Sequence, residues 1–118
     1  VHIGRLRKAL MRGDELDPDI LRDDAQRFHD RFSEWGRYGV SAYLATSDDE
    51  IDVLCQTKLV RFRSVLVFEI ADLLAAGLMV VPTFRSPHAT VCAQELGHLV
   101  LAVTACRYVV RANTYHEE

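Results

Sequence analysis

The sequence predicts an α+β fold, a single domain in which a mixed, mostly antiparallel sheet of about four or five strands is packed by helices. Three observations predict it. The chain has 118 residues, 49% of them hydrophobic and 26% charged, the size and composition of one ordinary globular domain with a single core. Its hydrophobic period alternates between that of a helix and that of a strand. The stretch "ADLLAAG", between the strand-like runs "SVLVFEI" and "LMVVP", is shorter than the roughly dozen residues of a parallel crossover, so the strands it joins run antiparallel or in a mixed sheet.

The elements follow in order. Ile3, Leu6 and Leu10 recur at helical spacing with Arg5, Arg7, Lys8 and Arg12 on the other faces and Gly13 as a stop, which reads as a short amphipathic helix. Asp17 then Pro18 is an N-cap followed by a first-turn proline, and Leu21, Ala25, Phe28, Phe32 and Trp35 form one face of a helix from about Pro18 to Glu34. Gly36 ends it, and Tyr38, Val40, Ala42 and Leu44 then alternate with Gly39, Ser41, Tyr43 and Ala45 as a strand. Ser47 to Glu50 is an S-x-x-E capping box opening a helix that ends near Lys58. "SVLVFEI" is a strand covered on both faces, "ADLLAAG" a helical turn or two, "LMVVP" and "HATV" short strands. A helix from about Ala93 to Ala105 and a last strand "CRYVV" complete the domain, with residues 112–118 as a polar, frayed tail.

Bulk properties exclude several classes. A net charge of −3 supplies no positive field for nucleic acid. No apolar run approaches the ~18 residues of a membrane span. Cys55, Cys92 and Cys106 are an odd set without C-x-x-C spacing, as in reduced cytoplasmic proteins, and no secretory leader is read before the first helix.

Three constellations carry chemistry. Ser41 and Tyr43 share a strand face, and Arg37 stands just before it, so a hydroxyl, a phenol and a guanidinium line one cleft suited to stacking an aromatic ring and clamping a phosphate; a solvated sheet face is the plain alternative. Glu69 lies in an apolar strand, where it either acts with a raised proton affinity or emerges at the strand end, meeting water or Arg61, Arg63 or Arg85. His88 and Thr90 form an H-x-T pair on one strand face, with Arg85 nearby, resembling one half of a two-histidine phosphoesterase site; otherwise His88 is a structural histidine. Glu95 and His98 read as a surface pair, His29 as a flank of the aromatic stripe, and Phe28, Phe32 and Trp35 as core. No G-x-G-x-x-G, P-loop, G-x-S-x-G or zinc spacing occurs, so neither a bound cofactor nor a metal is expected.

Residues 36–76, with "GR", then "YLATS", then an acidic helix, then "VLVFEIADLL", resemble the RES-type toxin domains, a branch of the ADP-ribosyltransferase-like fold. The resemblance implies a bacterial toxin-type domain that consumes NAD as substrate and is held in check by a cognate antitoxin. Arg37 would take the family's arginine place, Tyr43 its tyrosine place, and Glu50 stand in for its glutamate, although the family's acidic residue comes later in the helix, where Leu54 stands. On this reading Arg37 and Tyr43 hold the dinucleotide, and Glu50 or Glu69 stabilises the transition state. The alternatives are a non-catalytic interaction or regulatory domain, such as a homodimer formed through the charge-poor stretch from Val65 to Val81, and a phosphate-binding site around His88 and Thr90.

Overall fold

A computed structural model describes residues 2–5, 11–12 and 15–116. The strands are β1 (His2–Arg5), β2 (Met11–Arg12), β3 (Glu15–Leu16), β4 (Tyr38–Ala45), β5 (Ser64–Glu69), β6 (Met79–Pro82), β7 (His88–Ala93) and β8 (Tyr108–Ala112). The helices are α1 (Pro18–Arg31), α2 (Asp48–Gln56), α3 (Ile70–Ala75) and α4 (Leu96–Ala105), and a 3₁₀ turn, Ser33–Trp35, follows α1. Six strands form one sheet in the order β6-β7-β4-β1-β5-β8, and β2 pairs with β3 in a separate ribbon. The fold is α+β, and among the described residues every pairing is antiparallel rather than mixed.

The local signals behave as their chemistry requires. Asp17 caps α1, its carboxylate accepting from the Asp19 amide at 2.9 Å, with Pro18 in the first turn. Ser47 caps α2, its Oγ accepting from the Glu50 amide at 3.2 Å. Gly36 takes a left-handed φ of 62° where the 3₁₀ turn gives way to β4.

Three expectations are corrected. The helix expected at Ile3 to Arg12 is strand at His2–Arg5 and Met11–Arg12, while residues 6–10 lie outside the described residues. Four residues carry little helical preference of their own, and β1 supplies backbone partners to β4 on one side and β5 on the other. The aromatic stripe does not stay in the core: Phe28 is buried, but Trp35 is 40% exposed because the chain has left α1 before reaching it. The tail is docked through residue 116. Buried Asn113 donates from Nδ2 to the carbonyls of Leu59 (2.9 Å) and Cys55 (3.2 Å), its amide donates to Arg63 O at 2.7 Å, and its Oδ1 accepts from the Tyr115 amide at 3.0 Å.

The core has two parts. Leu21, Val40, Leu66, Phe68, Leu73 and Leu99 belong to the larger, which gathers α1, α3 and α4 against one side of the sheet. Ile51, Leu54 and Cys55 of α2 pack with Ala45, Leu59 and Val65 in the smaller, on the opposite face. Each fully buried leucine contributes roughly 1.5–3 kcal/mol relative to an exposed one. The radius of gyration, 13.3 Å, is that of one close-packed unit.

Candidate functional site

Side chains alternate along β4, so Gly39, Ser41, Tyr43 and Ala45 share the face on which α2 packs. β7 runs antiparallel beside it with Ser41 opposite Thr90 and Tyr43 opposite His88. Directly opposed residues point to the same side, so two constellations far apart in sequence become one cluster. The rings of Tyr43 and His88 meet edge to face, 5.3 Å between centroids.

Beneath them Thr83, the residue after β6, joins the set. Its Oγ1 lies 2.9 Å from His88 Nδ1 and 2.8 Å from Thr90 Oγ1. Thr83 has one hydroxyl proton, so it donates to one neighbour and accepts from the other. Thr90 is 0% exposed, and its hydroxyl is turned to Thr83 rather than to solution. His88 and Thr90 therefore share a face, as their spacing predicts, but they fasten the β6–β7 loop instead of opening a phosphate cradle. The His88 amide donates to the carbonyl of exposed Arg85 at 3.0 Å, and the Thr83 amide to His88 O at 3.2 Å, closing the same loop.

Arg37 precedes β4, and its Nη1 lies 2.8 Å from Met79 Sδ. At about 3.3 Å per residue it stands roughly 20 Å along the strand from Tyr43. Glu50 is at the other end. Its Oε2 accepts from both the amide and the hydroxyl of Thr46, just past the end of β4. The Thr46 hydroxyl, and secondarily its amide, hold the Glu50 carboxyl below its ordinary value.

A pH dependence follows. Because the folded state lowers the Glu50 pKa, its stabilisation is fully present above the ordinary glutamate value and is lost as pH falls through the lowered one. The melting temperatures of the wild type and Glu50→Gln should differ at pH 7 and converge on acidification through that window. A gap that persists unchanged at low pH would rule out the carboxylate as its source.

Glu69 ends β5 in a row with His2 and Ala45, and it is exposed there. It lines a separate cleft of about 630 Å³ with Asp48, Asp72, Arg107 and Tyr108 among its neighbours. Arg111, on the same wall, pairs with Asp52. Asp48 and Ile51 of α2 line this cleft, and neither Tyr43 nor His88 does. The structure thus brings Ser41, Tyr43, His88 and Thr90 together, puts Glu50 at the near end of the same strand, and leaves Arg37 and Glu69 apart from them. His98 does not act with Glu95 as the E-x-x-H spacing suggests; its Nε2 lies 3.0 Å from the Ala76 carbonyl.

Sequence reasoning missed Thr83 and Phe84. Nothing in "VPTFRSP" announces that the threonine reaches a histidine five residues on, or that Phe84 takes a positive φ of 56°. Among the described residues, no group of three or more His, Cys, Asp or Glu side chains is placed to hold a metal ion, and no helix is long and apolar enough to cross a membrane. Fold and site together define an α+β domain with a polar and aromatic cluster on one sheet face. No protein-family model, curated protein or solved structure matches the chain.

Proposed function

We propose that this chain is an NAD-consuming domain of the ADP-ribosyltransferase type, working on the sheet face of Ser41, Tyr43 and His88. One observation carries the reading: the half-buried Tyr43–His88 pair joins β4 to β7, and the Glu50 carboxylate is fixed by Thr46 just beyond the end of β4. When the bond between nicotinamide and ribose breaks, its electron pair leaves with nicotinamide and positive charge develops on the ribose. A fixed carboxylate stabilises that charge more than it stabilises the bound substrate. Water then attacks the anomeric carbon and loses a proton, giving ADP-ribose. Both Thr46 bonds fall on Oε2 of Glu50, so capping α2 and facing a cation are compatible roles. Tyr43 offers a ring for nicotinamide to stack on, and Arg37 lies in line for the far end of an extended ligand. Glu69 has no part in this site. A toxin's cognate antitoxin belongs to the same reading.

Incubating the protein with NAD and following free nicotinamide tests it. Release above buffer is expected, lowered at least tenfold in Glu50→Gln and unchanged in Glu69→Gln. No release by folded protein at micromolar concentration would sink the proposal. A second reading, an interaction domain without turnover, is favoured by Leu101 and Val109, which are 71% and 66% exposed. It predicts a dimer by light scattering and no nicotinamide.

A further inference from the structure

Phe84 is out of place for a structural residue. It is 69% exposed, and its backbone holds a φ of 56°, a conformation unfavourable for a bulky side chain. Strain of that kind persists only where the surroundings impose it. Here they do: the Thr83 and His88 amides close the loop from both ends, and the Thr83 hydroxyl ties it to His88 and Thr90. The loop is braced to hold an aromatic ring in water.

That ring belongs to a continuous series. Phe84 meets His88 at 5.1 Å and Phe32 at 5.6 Å, His88 meets Tyr43, and Phe32 meets Trp35 at 6.1 Å. The two exposed members, Trp35 and Phe84, flank Phe32 and together present on the order of 200 Å² of aromatic surface. That area suits one planar ring system and falls well short of the roughly 800 Å² per partner in a protein interface. The surrounding charge favours an anionic ligand: the Arg31 guanidinium lies 5.5 Å over the Phe32 ring and exposed Arg85 follows Phe84, offset in part by Glu34 beside Trp35. A nucleotide combines the two features this surface suits, a flat ring and a phosphate.

We propose that Phe84, with Trp35 and Phe32, is a stacking platform for the adenine base of a nucleotide ligand. That NAD is the natural ligand rests on the preceding reading; the platform is testable without it. The chain has a single tryptophan, so AMP binding can be followed through Trp35 fluorescence. AMP should quench it saturably, and ribose 5-phosphate, which lacks the base, should bind far more weakly. Phe84→Gly should weaken AMP about tenfold or more, the scale of one lost base stack, with a melting temperature equal to or above the wild type because glycine accepts a positive φ. A structural Phe84 gives the opposite pattern, a lower melting temperature with AMP binding intact. That result, or no saturable quenching by millimolar AMP, overturns the platform. Nicotinamide release from a protein that fails the AMP test would leave the NAD reading standing and the platform rejected. AMP binding without NAD turnover would do the reverse.

Discussion

Replacing Asn113 with alanine is expected to lower the unfolding free energy by about 2–4 kcal/mol, a drop of roughly 10 °C in melting temperature for a domain of this size. The side chain is buried and acts at three points. Its Nδ2 supplies the donors for the Cys55 and Leu59 carbonyls at the end of α2, and its Oδ1 receives the Tyr115 amide. Alanine removes those donors and leaves two carbonyls without the bonds Asn113 made. Asn113→Asp is expected to do at least as badly, since a carboxylate oxygen then faces two carbonyl oxygens. Urea unfolding of both variants measures this, and a change below 0.5 kcal/mol in Asn113→Ala would show that the tail is not an anchor.

The second large effect is at Gly39. A Cβ there would stand 2.6 Å from Thr90 Cγ2 and 3.1 Å from two ring carbons of Phe28. Neither neighbour yields cheaply, because Thr90 is fully buried and bonded to Thr83 and Phe28 is packed at the end of α1. Gly39→Ala should cost about 1–3 kcal/mol through overpacking, despite alanine's better conformational entropy. Thr90→Ser keeps the hydroxyl and deletes the clashing methyl, so adding it to Gly39→Ala should recover part of the loss. A double mutant whose two effects simply add would show that the methyl is not the obstacle.

How much of this was legible in the sequence depends on the range of the interaction. The caps at Asp17 and Ser47 and the alternation in β4 are local, and each sets its element in place. The pairing of β4 with β7 is not local. It joins Tyr43 to His88 through a sheet whose order no periodicity encodes, so two candidate sites read separately proved to be neighbours. β1 failed for a related reason: two flanking strands decide its state, not its own four residues. The polar tail looked frayed because its composition is that of a loop. One buried amide, Asn113, outweighs that composition by filling the hydrogen bonds of two carbonyls. Glu50 sits at the capping position its spacing implies, but its carboxylate bonds one residue back, to Thr46, which puts it beside the end of β4.

The claim that Ser41, Tyr43 and His88 mark a ligand-binding face is tested most directly by backbone NMR of the labelled protein titrated with NAD. Chemical-shift changes are predicted at Ser41 to Thr46, at Thr83 to His88 and at Glu50, with the amides around α4 and the Glu69 cleft unmoved. Saturable shifts confined to the Glu69 cleft, or none at millimolar NAD, would contradict it.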